Sequence, residues 1–144
     1  MIQRVQTIYL FLIALISGGL VFVCSLWTLN DGTEEFIPNL FFKSGIFLKS
    51  IPTLFLISSV ISLIAIFTFK NRKLQFVLGR IIMLIHLFLL GLLVSFSLTL
   101  SGEAVVSEKG IGMFLPILVI LLAVAANRAI KKDEDLVKSA DRLR

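Results

Sequence analysis

The stretch IPTLFLISSVISLIAIFTFKNRKLQFVLGRIIMLIHLFLLGLLVSFSLTLS, residues 51–101, decides the fold. Within it, two long runs without a charged residue lie on either side of the basic segment KNRK, residues 70–73. Each run has about the 20 residues that a helix needs to cross a hydrocarbon core of roughly 30 Å. Inside lipid the backbone has to satisfy its own hydrogen bonds, which a helix does. The stretch therefore predicts two membrane-spanning helices that form a tight antiparallel hairpin.

Two further charge-free runs lie outside this hairpin, Val5–Asn30 and Gly110–Asn127. The first is about twice as long as the apolar region of a signal peptide, so we expect it to remain as a helix. Of the 144 residues, 58% are hydrophobic and 16% are charged, which is too apolar for a soluble domain of this size. The sequence predicts an all-α membrane protein, a single domain of four transmembrane helices in an antiparallel bundle. The predicted segments are helices at roughly 6–29, 51–69, 74–100 and 111–130, an outer loop at 30–50 and a tail at 131–144.

The distribution of Lys and Arg predicts the orientation. Eleven of the 14 lie on the side of the N-terminus, the KNRK segment and the tail, and three lie on the other side. By the positive-inside rule, both termini are predicted to be cytoplasmic. The topology then explains the net charge of +5, and we expect membrane lipid as a partner. The sequence has no recognised nucleic-acid-binding module, so we expect no nucleic-acid partner. The predicted headgroup and topology residues are Lys70, Arg72, Lys73, Arg80, Arg128, Lys131 and Lys132.

His86 is the ionisable residue predicted to lie deep in the membrane. Such residues are expensive to bury and often functional, but no acid or second histidine accompanies this one on its helix face. We expect it to bond to Ser58 or Ser62 on the neighbouring helix; a role in haem binding or proton movement is the alternative. The single cysteine, Cys24, excludes an intrachain disulfide. The sequence carries no recognised catalytic motif, so we predict no catalytic, cofactor or metal residues, no small-molecule substrate and no enzymatic activity.

Two segments outside the predicted spans carry apolar residues that suggest contact with other molecules. The outer loop contains Phe41, Phe42 and Phe47, which predict either insertion into the outer bilayer interface or contact with another protein. The tail has oppositely charged residues four apart and predicts a short amphipathic cytoplasmic helix that needs a surface to be stable. Its predicted partner contacts are Leu136, Val137, Ala140, Arg142 and Leu143.

Three segments carry a family resemblance: MIQRVQTIYLFL at residues 1–12, FKNRKLQ at 69–75 and AIKKDEDLVKSADRLR at 129–144. Together they resemble the domain of unknown function 4293 family of small four-helix bacterial inner-membrane proteins. The resemblance covers the whole chain, with KKDEDLVKSADRLR as its most specific part. It implies the fold, the topology and a location in the bacterial inner membrane, and it brings no activity, substrate or catalytic residue.

These observations predict a non-enzymatic accessory or scaffold subunit of a larger inner-membrane complex, with transport or protein-secretion machinery as a setting. Other inner-membrane proteins are then the expected partners, contacted through the cytoplasmic face and the outer loop. The alternative from a different class is a small transporter or a haem or redox membrane protein centred on His86.

Overall fold

The computed structural model describes residues 5–29, 32–42, 45–102 and 106–142. Four helices account for most of this chain, with three short strands and three short 3-10 turns between them. In chain order the helices and strands are α1 (Val5–Gly18), β1 (Ser25–Leu29), β2 (Glu34–Phe36), α2 (Ile46–Phe67), α3 (Arg72–Gly102), β3 (Val106–Lys109) and α4 (Leu115–Arg142). The 3-10 turns are Leu20–Phe22, Ile37–Phe41 and Ile111–Phe114.

Hydrogen bonds between α1 and α2 give the relative direction of these helices. The Ser62 hydroxyl donates to the Leu10 carbonyl at 2.6 Å, and the Ser59 hydroxyl donates to the Ala14 carbonyl at 3.1 Å. A later residue of α1 therefore meets an earlier residue of α2, so the two helices are antiparallel. Serine side chains that bond to a neighbouring helix are a common means of association where lipid removes the hydrophobic driving force.

Helices α3 and α4 are antiparallel as well. Gly79 lies against the side chain of Asn127, and a guanidinium nitrogen of Arg72 donates to the Asp133 carbonyl at 3.0 Å. The bundle thus runs up and down with each helix beside its sequence neighbours and α1 beside α4. The described start of α1, the turn between α2 and α3, and the last turns of α4 lie at the same end, which we call the basic end. The strands lie at the opposite end, which we call the sheet end.

The four helices, with the turns that continue them, form segments long and apolar enough to cross a membrane. In the described residues these segments are Val5–Phe22, Ile46–Phe67, Arg72–Leu98 and Ile111–Ser139. Large apolar side chains such as Phe11, Leu84 and Leu87 are more than half exposed on the outside of the isolated bundle. A surface of this kind suits lipid as the surrounding solvent. The prediction of four membrane-length helices is confirmed.

The prediction of a first helix over 6–29 is wrong at its C-terminal end. Helix α1 ends at Gly18, and after a 3-10 turn the chain enters strand β1 at Ser25. Gly18 and Gly19 are poor helix formers, and the following SLWTL contains the β-favouring residues Trp27 and Thr28. Hydropathy alone cannot separate a buried strand from a helix, so the apolar run by itself predicts one long helix.

The predicted all-α fold is therefore incomplete, because the sheet end contains three strands. Strand β1 is the centre of a three-stranded antiparallel sheet of order β2-β1-β3. Trp27 pairs with Glu35 on one side and Lys109 on the other, and its side chain is only 3% exposed. The predicted outer loop 30–50 contributes β2 and the start of α2, and β3 comes from the short connection before α4. The sheet thus closes this end of the bundle with segments far apart in the sequence.

The tail is part of α4, which continues without a break from Leu115 to Arg142. Pro116 occupies its first turn, where the missing N–H removes no helical hydrogen bond. Pro52 lies inside α2, which begins at Ile46 and not at residue 51. The amphipathic segment predicted at 131–144 is therefore an extension of the fourth helix, and Leu143 lies outside the described residues.

Candidate functional site

His86 occupies the centre of the bundle and has no solvent exposure. Its Nδ1 lies 3.0 Å from the Ile82 carbonyl, one turn earlier on α3. A carbonyl oxygen can only accept, so this contact places the proton on Nδ1 and leaves Nε2 as an acceptor. The hydrogen bond to the Ile82 carbonyl, on the same helix, thus favours the neutral tautomer with the proton on Nδ1.

Two serines and an aromatic ring surround the imidazole. The Ser17 hydroxyl lies 3.4 Å from Nε2 and can donate to it, while the Ser58 hydroxyl lies 3.4 Å from Nδ1. Phe55 packs edge-to-face, with ring centroids 5.6 Å apart and planes at 79°. The contact predicted with Ser58 is present, whereas Ser62 bonds to the Leu10 carbonyl. The cluster therefore joins α1, α2 and α3.

This geometry favours interhelical hydrogen bonding over ligand binding at His86. Both ring nitrogens face polar partners within the protein, and such contacts in membranes contribute about 1 kcal/mol each. Axial haem ligation would require the Nε2 lone pair that faces Ser17. In the described part of the chain, no group of three His, Cys, Asp or Glu residues is placed to hold a metal ion.

A second buried polar layer lies nearer the basic end. The Gln6 side-chain amide donates to Gln75 Oε1 at 3.3 Å, and Gln75 in turn donates to the Ala65 carbonyl at 3.1 Å. Gln75 precedes His86 on α3 by about 16 Å, at 1.5 Å per residue. This layer was not predicted from the sequence, although Gln6 and Gln75 both belong to segments that carry the family resemblance. Their shared polarity inside apolar surroundings is the signal that would have indicated a contact.

Asn127 of α4 is a further buried polar residue. Its side chain is 6% exposed, and neither amide atom has a hydrogen-bond partner among the described residues. The amide lies against Gly79, which has no side chain to keep α3 away from α4. An unpaired buried amide costs free energy, so the close approach of the two backbones has to offset it.

The predicted headgroup residues lie at the basic end. Arg72 is half-buried and bonds to the Asp133 carbonyl, and Arg80 lies over the Phe76 ring with its guanidinium carbon 4.6 Å from the centroid. The remaining members are exposed: Lys70, Lys73, Arg128, Lys131 and Lys132. A ring of cations around one end of an apolar bundle is the arrangement expected where helices leave the hydrocarbon for the headgroups.

The predicted partner contacts fall into two groups at opposite ends of the molecule. At the sheet end, Phe42 and Phe47 are 91% and 65% exposed, and Phe41 is 37% exposed. At the basic end, Leu136 and Val137 are 58% and 43% exposed on α4. Ala140 and Arg142 are positions on the last turns of the same helix. The structure therefore separates these residues into two surfaces.

Four apolar helices that are long enough to cross a membrane, joined up and down, are consistent with the class of multi-pass membrane proteins. Residues 2–143 match the family described as domain of unknown function, DUF4293, and the chain belongs to that family. This confirms the resemblance given by the three sequence segments. No curated protein and no solved structure matches the chain.

Proposed function

We propose that this chain is a non-catalytic accessory or scaffold subunit of a larger assembly in the bacterial inner membrane. The observation that carries the proposal is the length of α4. Its 28 residues extend for about 42 Å, whereas the hydrocarbon core of a bilayer is about 30 Å thick. The helix is therefore longer than the hydrocarbon core requires, and we define its last part, residues 131–142, as the extension.

The extension is built to present a surface. The Arg72 guanidinium bonds to its backbone at Asp133, and Lys138 pairs with Glu134 at 2.8 Å, one turn apart. Leu136 and Val137 stay exposed although both are apolar. Apolar side chains exposed at this end of a long helix favour a surface that covers them, and a partner subunit would supply one. A partner subunit in transport or protein-secretion machinery is the setting we favour for that surface.

A catalytic or transport role centred on His86 is less well supported. The imidazole is fully buried, and both of its nitrogens face hydrogen-bond partners on the protein. Movement of a ligand through this position would require the three helices that surround it to separate. The described hydrogen-bond partners of the ring are two serine hydroxyls and a backbone carbonyl, with no second titratable group among them. We therefore assign His86 to the packing of the bundle.

The proposal places the basic end in the cytoplasm, and cysteine labelling tests this orientation. Cys24 is the single cysteine, so a Cys24→Ser background is free of thiols. In that background we expect Asn39→Cys, at the sheet end, to react in intact cells with a maleimide that does not cross the inner membrane. Ser139→Cys, at the basic end, should react only after lysis. Labelling of Ser139→Cys in intact cells and protection of Asn39→Cys would reverse the orientation.

The partner contact is tested by copurification in mild detergent. We expect a stoichiometric membrane partner with the wild-type chain and its loss on Leu136→Lys/Val137→Lys substitution. Burial of two aliphatic side chains contributes about 3 kcal/mol or more, so the affinity should fall at least roughly a hundredfold. Deletion of residues 131–144 should have the same effect.

The matched control is Ser139→Lys, which adds a cation to the same exposed turn and leaves both apolar side chains in place. This variant should retain the partner. A wild-type chain that purifies alone and monodisperse would contradict the scaffold role, and so would a partner retained equally by all three variants.

A further inference from the structure

A groove of about 750 Å³ runs between α1 and α4 on the outside of the bundle. Its walls are apolar towards the middle of the bundle, where Tyr9 of α1 and Leu121 and Ala125 of α4 line it, and Val5 lines it at the basic end. Val5 and Leu121 are 56% and 63% exposed, so the groove is open to whatever surrounds the bundle. Its volume falls within the roughly 300–1,000 Å³ that is typical of small-molecule sites.

The length of the groove matches one leaflet of a bilayer. On α4 it extends from Leu121 to Leu136, about 22 Å along the helix axis. A bilayer with its headgroups is about 40–45 Å thick, so one leaflet takes up about 20 Å. The apolar part of the groove lies towards the bundle centre and its polar part at the basic end, which is the order of acyl chain and headgroup in a lipid.

Charge at the polar part of the groove favours an anion. Arg128 and Lys132 line it one helical turn apart, and both are exposed. Asp133 also lines the groove, and Lys131 lies in the adjoining depression together with Arg128 and Lys132. Two cations at this spacing can bind the two free oxygens of one phosphate, while Asp133 can accept from a hydroxyl of the headgroup.

A buried side chain of the groove lacks one hydrogen bond. Gln6 is 1% exposed and lines the groove, and its amide nitrogen donates to Gln75. Its Oε1 has no partner within the described residues. A buried acceptor without a donor costs free energy, and a hydroxyl group on a bound molecule would supply the donor.

From these four observations, we infer that the groove is a binding site for one anionic phospholipid of the leaflet at the basic end. The acyl chain lies against α1 and the middle of α4, and the phosphate lies between Arg128 and Lys132. Phosphatidylglycerol has both the phosphate and the headgroup hydroxyls that this site would bind. The inference depends on the chain lying in a membrane and does not depend on a partner subunit.

Native mass spectrometry of the full chain in detergent tests the site. Phosphatidylglycerol should bind with one molecule per chain and at least roughly tenfold more tightly than phosphatidylcholine, because each cation near a headgroup favours an anionic lipid. Arg128→Gln/Lys132→Gln should remove this preference. Ala125→Trp should weaken binding of both lipids, because the indole fills the apolar part of the groove. Glycerol phosphate, which has no acyl chain, should not compete.

The matched control is Lys73→Gln/Arg80→Gln, which removes two cations from the same end of the molecule but away from the groove. This variant should bind phosphatidylglycerol like the wild type. The inference would be overturned by any of three results. The two lipids could bind with equal affinity, both double variants could lose the preference for phosphatidylglycerol equally, or a second copy of the chain could occupy the groove. All of these outcomes are separable from the partner test, since Leu136 and Val137 are unchanged in these variants.

Discussion

Replacing Gly79 with leucine should destabilise the bundle more than any other single substitution on α3 that adds an apolar side chain. A Cβ at this position would overlap Oδ1 of Asn127 and lie 2.9 Å from the amide carbon and 3.1 Å from Nδ2. Asn127 is 6% exposed, so a shift of its amide would push against the side chains that bury it. Overpacking of this kind typically costs about 1–3 kcal/mol, and leucine should reach the upper end because α3 and α4 must separate.

Gly91→Leu is the matched control on the same helix, since nothing lies within 4 Å of a Cβ placed there. Thermal unfolding in one detergent should show a clear loss of stability for Gly79→Leu. The control should match or exceed the wild type, because leucine favours a helix over glycine by up to about 1 kcal/mol. In addition, Asn127→Ala should rescue much of the loss of Gly79→Ala, since it empties the position that the new methyl group enters. Additive losses in that cycle would contradict the steric explanation.

The membrane helices could be predicted from the sequence because their signal is local. Each span is a run of apolar residues that a bilayer forces into a helix, and the basic segment at residues 70–73 fixes the turn between two of them. The same local reasoning predicts that His86 bonds to Ser58 or Ser62, because few polar residues are available inside the spans, and the structure shows the Ser58 contact. Nothing about neighbouring helices had to be known beyond the α2–α3 hairpin.

The remaining contacts depend on which helices meet and in what register. Ser17 reaches His86, and Gln6 reaches Gln75, across a pair of helices that are not consecutive in the chain. The sheet depends on the same kind of information, since β1 pairs with β3 across two intervening helices. Hydropathy carries no information about pairing between distant segments, so it predicts that the residues of β1 belong to the first helix. The helices and the Ser58 contact of His86 were thus predictable, and the Gln6–Gln75 layer and the sheet were not.

Replacing Gly110 with valine should detach the sheet from the end of the bundle and leave the helices formed. Gly110 has an ordinary backbone conformation, with φ −78° and ψ 165°, so its role is steric. Its N–H donates to the Leu26 carbonyl at 2.7 Å, and a Cβ there would overlap the Ser25 carbonyl. Both neighbours are backbone atoms of β1 that cannot rotate away. We expect a strain of about 1–3 kcal/mol, and it falls on strands of only five, three and four residues.

Trp27 is the single tryptophan and lies 3% exposed in the central strand, so its fluorescence reports on the sheet directly. In Gly110→Val, the emission should shift to the red and quenching by iodide should increase, while far-UV circular dichroism keeps the helical signal. Ile111→Val is the control next to it, because Ile111 is 73% exposed and contributes little to packing. Its emission should equal that of the wild type. If Gly110→Val kept a blue-shifted, unquenched Trp27, the close approach of residue 110 to β1 would not be needed to hold the sheet. If Gly110→Val also lost its helical circular dichroism signal, the helix bundle would depend on the sheet for its stability.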